Sequence, residues 1–257
     1  MAQSLIQAFN LLSTDSRVKT IVLTSSTQSS IFCAGADLEI GLSYTQDTAT
    51  THRDMGGQVA LAIHNCKKPV IAAITGSAVG VGITMTLPCA IRVVSDKAKV
   101  GFVFARRGIV MEACSSFFLP RLVGWSRAMH LVTTGAVYRA THKLFGDLFT
   151  EIVKPEQVME KALELAEEIS GKTSTVSTTL MRDLMWRGPG TVEETHLLES
   201  RVLWELFGGR DKKEGVESFV GKREVSFEGN MEDDKPEVWP WWERVDVKVP
   251  EMEKSKL

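Results

Sequence analysis

The sequence has no closely spaced pair of cysteines. Its four cysteines are Cys33, Cys66, Cys89 and Cys114. Neither a zinc knuckle nor a Cys-x-x-Cys redox motif can be written from them, so we expect reduced and mostly buried thiols. The five histidines share no metal-ligand spacing, and no metal site is predicted. No uninterrupted apolar run of about 18 residues is present, so no membrane insertion is expected.

The chain also lacks an excess of charge of either sign. It has 30 Lys and Arg against 32 Asp and Glu, a formal charge of -2. A general nucleic-acid binder needs clustered basic residues, so no nucleic-acid partner is expected. With 44% hydrophobic residues and only 20 Gly and 8 Pro, the chain is neither disordered nor of low complexity. Its 257 residues suffice for one large domain, or for one domain with an appendage.

The first part of the chain alternates between strand and helix patterns. Three short apolar runs predict buried strands, at residues 19–23, 69–74 and 90–94. Ahead of the first run, Leu5, Phe9 and Leu12 recur at helical spacing. Strands separated by helices predict an α/β fold with right-handed crossovers.

Beyond residue 153 the patterns become helical. An amphipathic helix is predicted to begin at Pro155 and to end at Gly171. Helical patterning continues over residues 173–207, and residues 211–222 predict one further helix. We therefore expect an α/β core over 1–153, a helical region over 154–225 and an irregular, Trp-rich tail over 226–257.

Residues 75–82, with the sequence TGSAVGVG, follow a predicted strand. The spacing matches the phosphate loop of short-chain dehydrogenases, in which backbone N–H groups bind a dinucleotide. However, this segment follows two predicted elements instead of the first strand. The Tyr-x-x-x-Lys pair of that family is also absent, since Tyr44 and Tyr138 are followed by Thr48 and His142. A dehydrogenase is therefore only a distant alternative.

Two segments together resemble a different family. Residues 31–40, IFCAGADLEI, resemble the F-x-A-G-A-D-[LI] signature of the enoyl-CoA hydratase/isomerase (crotonase) superfamily. The glycine segment resembles that family's second signature, A-x-x-G-x-A-x-G-G-G, and the resemblance extends over most of the chain. It implies a crotonase-like spiral of ββα units with a helical C-terminal region. The strand hairpin that the family places ahead of the first helix is not apparent here.

The resemblance also implies a ligand and an assembly. The substrate would be an acyl-CoA thioester, with no separate cofactor because coenzyme A enters as part of the substrate. Family members assemble as homotrimers, often paired into hexamers, through their C-terminal helices. In the sequence, Phe219 and Lys222 match an F-x-x-K-R stretch that in the family can approach the nucleotide end of coenzyme A. The alternative is that these residues form an ordinary solvated helix end that does not contact coenzyme A.

In the family, two backbone N–H groups receive the thioester oxygen and stabilise the enolate. The resemblance assigns them to Ala36 and Val81. Position 81 is commonly Gly in the family, and a β-branched Val restricts the backbone. Ala34, Asp37 and Gly80 belong to the same two signatures and are candidates for substrate contact, although Asp37 could instead fix a turn or cap a helix.

Glu112 is the candidate catalytic residue. The positions of the two glutamates of two-glutamate hydratases are occupied here by Thr84 and Phe104, and Phe104 becomes a candidate for substrate contact. Residues 111–116, MEACSS, resemble the P-E-[GA]-x-S-S stretch of peroxisomal Δ3,Δ2-enoyl-CoA isomerases and of single-glutamate hydratase-like members. We predict a general base whose pKa is raised by apolar neighbours. The alternative is that Glu112 only precedes a helix over residues 113–119 and interacts with its dipole.

Two further predictions concern turnover and location. The chain departs from the family pattern at Thr84, Phe104 and Val81. An alternative function is therefore that of a family relative that binds acyl-CoA without converting it. The chain ends in Ser255, Lys256 and Leu257, the peroxisomal address that an import receptor reads. We therefore expect a peroxisomal protein, with that receptor as a partner.

Overall fold

Strands occur in pairs, and the two members of each pair enter different sheets. The computed structural model describes residues 1–26, 29–37 and 48–247. One parallel sheet has the order β1-β3-β5-β8. The other has the order β2-β4-β6-β7, with only its last pair antiparallel. The strands are β1 (Ile21–Thr24), β2 (Ile31–Cys33), β3 (Val70–Ile74), β4 (Ser77–Val79), β5 (Ile91–Ser95), β6 (Lys99–Gly101), β7 (Val137–Arg139) and β8 (Glu151–Val153).

A helix follows each of the first two strand pairs, which gives successive ββα units. The helices are α1 (Ala2–Thr14), α2 (Met55–Asn65), α3 (Val81–Thr84), α4 (Ser115–Val123), α5 (Trp125–Thr134), α6 (Val158–Lys172), α7 (Thr175–Arg187), α8 (Val192–Leu206) and α9 (Arg210–Gly221). Short 3-10 helices span Val103–Arg107, Lys143–Phe145 and Pro155–Gln157. The spiral of ββα units with a helical C-terminal region is the expected architecture. None of the helices in the described parts of the chain is long and apolar enough to cross a membrane.

Strand β3 is buried on both faces. Its residues 70, 72 and 74 pack into the main core, whereas Ile71 and Ala73 pack against Val158 and Ala162 of α6. Side chains alternate between the two faces of a strand, so an internal parallel strand needs apolar residues at every position. This explains why the segment reads as a continuous apolar run in the sequence.

The C-terminal tail packs against the helices although it contains no helix or strand within the described residues. Met231, Trp239 and Trp241 join an apolar cluster with residues of α7 and α8. The Trp239 indole donates a hydrogen bond to Asp183 Oδ2 at 2.9 Å, and the Trp241 indole donates to the Arg187 carbonyl oxygen at 3.0 Å. The tail is therefore held by specific polar contacts as well as by burial.

The structure confirms the three strands predicted around β1, β3 and β5, and the helix predicted over 211–222. Three helix boundaries were wrong. The helix predicted to begin at Pro155 begins at Val158, after the 3-10 helix over Pro155–Gln157. Gly171 lies inside α6, which ends one residue later. The helix predicted from residue 113 begins at Ser115, because Ala113 and Cys114 adopt left-handed backbone angles, with φ of 53° and 56°.

Candidate active site

The two signature segments meet at one edge of the second sheet. Strands β2 and β4 pair in parallel, with Cys33 opposite Ala78, so the turns that follow them leave the sheet side by side. The Cα of Gly35 lies 3.9 Å from the place that a Cβ of residue 80 would occupy. At Gly82 a Cβ would overlap the Cys33 carbonyl oxygen. At position 82 only glycine permits this approach between the segments.

The two predicted backbone donors lie in these adjacent turns. Ala36 is exposed in the turn after β2, with Ala34 and Asp37 exposed beside it. Val81 is the first residue of α3 and follows Gly80, and the first N–H groups of a helix have no acceptor within it. The structure thus brings the two segments together. That both N–H groups converge on one thioester oxygen stays a prediction.

The Glu112 carboxyl lies between α2 and α3. Its Oε1 accepts a hydrogen bond of 2.6 Å from Thr84 Oγ1 on α3. On the other side, a Cβ added to Gly56 of α2 would overlap Glu112 Oε2 and would lie 3.0 Å from Val81 Cγ2. The carboxyl therefore occupies space that is available because residue 56 is glycine, close to the turn that carries the Val81 N–H.

An unusual turn carries Glu112. Ala113 and Cys114 both have positive φ, which costs a non-glycine residue about 1–3 kcal/mol. The turn is closed by Ser115, whose backbone N and Oγ donate to the Glu112 carbonyl oxygen at 3.0 and 2.6 Å. Strain of this kind concentrates at functional sites, where it fixes the direction of a side chain.

Burial raises the pKa of Glu112 from 4.5 to about 7. Hydrogen-bond donation by Thr84 acts in the opposite direction, and the negative charge of Asp54 raises the pKa further. A carboxyl group with a pKa near neutrality can both accept and return a proton at physiological pH. The helix-dipole alternative receives no support, because the carboxyl contacts α2 and α3 and two left-handed residues separate Glu112 from α4.

Three other candidates lie in the main core or at the end of α9. Phe104 is only 7% exposed and packs in the main core. Phe219 is 85% exposed near the end of α9, and Lys222 caps that end with a φ of 50°. Among the described residues, the contacts of the Glu112 carboxyl come from α2 and α3 and not from α9. A role for these three residues in substrate binding stays a prediction.

The sequence patterns did not predict two residues of the site, Asp54 and Gly56. Asp54 caps α2 by accepting a hydrogen bond from the Gly57 N–H, and its Oδ1 also accepts from the Ala113 N–H at 3.4 Å. The available signal was an N-cap residue followed by two glycines in the first turn of a helix, where glycine is a poor helix former. In the ranges that the structure describes, no group of three His, Cys, Asp or Glu residues could hold a metal ion.

Known proteins with related sequences share this framework. The family model described as "Enoyl-CoA hydratase/isomerase" matches residues 1–230. An enoyl-CoA hydratase of Alternaria alternata is 48% identical over 238 residues, which cover 92% of this chain and 80% of that protein. A short-chain-enoyl-CoA hydratase of Clostridium acetobutylicum is 30% identical over 212 residues, covering 82% and 80%.

Solved structures show the same fold. The crystal structure of an enoyl-CoA hydratase from Bacillus anthracis superposes with a TM-score of 0.77 at 26% sequence identity. The superposition covers 89% of this chain and 88% of the other. The similarity therefore extends over the ββα core and the C-terminal helices together.

Proposed function

This chain belongs to the enoyl-CoA hydratase/isomerase family, and from that premise we propose that it shifts the double bond of an unsaturated fatty acyl-CoA through Glu112. One observation carries the proposal: a carboxyl with a pKa of about 7 lies between α2 and α3, beside the turn of Val81. The two positions that hold glutamates in two-glutamate hydratases hold Thr84 and Phe104, and neither side chain is a general base at neutral pH.

The proposed reaction needs one base and two backbone donors. The thioester oxygen accepts hydrogen bonds from the N–H groups of Ala36 and Val81, and the Glu112 carboxylate removes a proton from C-2 of a 3-enoyl thioester. The electron pair of the broken C–H bond delocalises onto the thioester oxygen as a dienolate, which the two donors stabilise. The protonated Glu112 then returns the proton to C-4, leaving a 2-enoyl thioester. No cofactor takes part, and coenzyme A is a portion of the substrate.

Hydration is a second candidate, supported by a specific comparison. The Alternaria alternata relative, 48% identical, is named an enoyl-CoA hydratase. In that reaction the Glu112 carboxylate would take a proton from a water molecule that attacks C-3, and the protonated Glu112 would then return this proton to C-2 of the resulting enolate. The acyl group would belong to β-oxidation or to a specialised, secondary-metabolite pathway.

The products distinguish the two reactions. We expect purified protein to convert cis-3- and trans-3-enoyl-CoA into the trans-2 isomer, and this conversion should be lost in Glu112→Gln. Glu199→Gln, at an exposed position of α8, removes the same charge and serves as the control. Formation of 3-hydroxyacyl-CoA from trans-2-enoyl-CoA would instead identify hydration. Binding of the thioesters with no conversion would select a silent acyl-CoA-binding protein.

We also propose that Phe219 and Lys222 approach the nucleotide end of coenzyme A. Lys222 lies at the C-terminal cap of α9, where an ammonium group can act as a point charge toward a phosphate. We expect Lys222→Ala to raise KM for the thioester with little change in kcat. An unchanged KM would mean that Lys222 is an ordinary solvated residue.

A homotrimeric or hexameric assembly is proposed as well. Large apolar side chains are exposed on three helices: Trp125 on α5, Met185 on α7 and Trp204 on α8. Burial of such residues between copies would remove apolar surface from water. Sedimentation velocity would give the mass of the assembly, and a monomer at micromolar concentration would contradict this proposal.

The peroxisomal location rests on Ser255, Lys256 and Leu257, which lie outside the described residues, as do residues 38–40 of the first signature. An import receptor would read this tripeptide at a free C-terminus. We expect a fluorescent reporter carrying the last twelve residues to enter peroxisomes, and the same reporter without Leu257 to stay in the cytosol. A cytosolic location of both reporters would contradict the proposal.

A further inference from the structure

A single carboxyl oxygen links the start of α2 to the turn that carries Glu112. Asp54 Oδ1 accepts from the Gly57 N–H inside α2, and it accepts from the Ala113 N–H at 3.4 Å. Ala113 directly follows Glu112 and is the first of the two left-handed residues. The Asp54 side chain therefore holds both its own helix and the strained turn beside it.

The two carboxyl groups themselves are close. Gly56 leaves room for the Glu112 carboxyl against the first turn of α2, the same turn that Asp54 caps. The negative charge of Asp54 contributes to the raised pKa of Glu112.

We propose that Asp54 is a positioning residue for Glu112, because its side chain fixes the turn that presents the Glu112 carboxyl. This inference rests on the proposed function, in which Glu112 transfers the proton. Asp54 acts through Glu112 and is not assigned a contact with the substrate.

The groups around Glu112 define the expected pH dependence. Asp54 faces it from α2, Thr84 donates to it from α3, and Cys114 lies two residues further along the same turn. Burial, followed by the charges of Asp54 and Glu112, raises the pKa of the Cys114 thiol, which is therefore neutral near pH 7. Asp54 is thus the charged neighbour among these groups. Loss of its charge should make Glu112 more acidic.

Asp54→Asn tests this prediction with little structural change. Asparagine keeps an acceptor oxygen and is as good an N-cap residue as aspartate. We expect the acidic limb of the kcat/KM profile to move to lower pH by on the order of one pH unit. We also expect a several-fold lower plateau in kcat, because a less basic carboxylate abstracts a proton more slowly. KM should change little, and Glu199→Gln should leave the profile unchanged.

A second variant separates the effect of the lost charge from an effect of misfolding. Serine is also a good N-cap residue, so Asp54→Ser should retain α2, remove the charge and shift the limb in the same direction. If both variants keep the wild-type acidic limb while Glu112→Gln is inactive, Asp54 does not position Glu112, although the proposed function stands. If Glu112→Gln keeps full turnover, the proposed function itself fails, and the role of Asp54 fails with it.

Discussion

Thr84 Oγ1 lies 2.6 Å from Glu112 Oε1 and donates a hydrogen bond to it. Thr84 lies on α3, so its hydroxyl holds a carboxyl group that another segment of the chain supplies. Thr84 is fully buried and its hydroxyl also lies 3.2 Å from the Gly80 carbonyl oxygen. It therefore connects the turn before Val81 to Glu112.

Thr84→Val removes this donor while keeping the shape of the side chain. Donation from Thr84 lowers the pKa of Glu112, so its loss should raise that pKa and move the acidic limb of the activity profile to higher pH, by on the order of one pH unit. This direction is opposite to that expected for Asp54→Asn. Thr84→Ser keeps the hydroxyl and should restore the wild-type profile. If Thr84→Ser and Thr84→Val shift the acidic limb equally, the shift comes from altered packing and not from loss of the hydroxyl.

Gly56→Ala should reduce turnover without unfolding the protein. The added methyl group would occupy the place of Glu112 Oε2, so the carboxyl must move, and a displacement of about 1 Å can cost on the order of 100-fold in rate. Gly171→Ala in α6 is the matched control, because nothing lies near the place of its Cβ. Both changes favour helix by up to about 1 kcal/mol. Full activity of Gly56→Ala would show that the Glu112 carboxyl does not need this space.

Glu112→Gln should stabilise the fold, most of all at alkaline pH. The folded state raises the Glu112 pKa from 4.5 to about 7, so the folded protein binds the proton more tightly than the unfolded chain. The resulting stability is present below pH 4.5 and is lost as the pH rises through about 7. The loss is at most about 3 kcal/mol, and solvent contact of the carboxyl reduces it.

The measurement is thermal unfolding at two pH values. We expect Glu112→Gln to raise Tm by roughly 2–6 °C at pH 8 and by less at pH 5. Glu199→Gln, at an exposed position, controls for the change in net charge. A gain in Tm of equal size at both pH values would mean that the carboxyl is not held at an elevated pKa.

Trp239→Phe should weaken the attachment of the C-terminal tail. The change deletes the indole donor to Asp183 Oδ2, and Asp183 is fully buried. An unsatisfied buried acceptor costs about 1–3 kcal/mol, so we expect Tm to fall by several degrees while kcat of the folded enzyme is retained. Val245→Ala, at a position of the same tail that is 82% exposed, should change Tm little. A large loss of kcat in Trp239→Phe would instead connect the tail to the site.

The parts of the fold that could be predicted are those with a local signal. The run over β3 is apolar at every position because both of its faces are covered, and Glu112 stands in a short stretch that resembles a known family. The left-handed pair Ala113 and Cys114 gives no such signal. Neither residue is Gly, Asn or Asp, and most other residues avoid positive φ. The helix there was consequently predicted two residues too early.

Asp54 and Gly56 were missed for a different reason. Their relation to Glu112 is a contact between segments that are remote in sequence, and α2 lies outside both signatures. The packing of the tail is also tertiary, because Trp239 and Trp241 find their partners on α7. Residues 226–247 contain no helix or strand, and no local pattern in the sequence predicts the residues against which they pack.

The short connection between β3 and β4 has a consequence for backbone dynamics. Only residues 75 and 76 separate them. The turn before Val81 is therefore joined, through the short strand β4, to a strand that is buried along its whole length. Opening of this turn would require displacement of the core strand, and amide hydrogen exchange in residues 77–83 should accordingly be as slow as in β3. An N–H group kept rigid in this way needs no reorganisation when charge develops on a substrate oxygen.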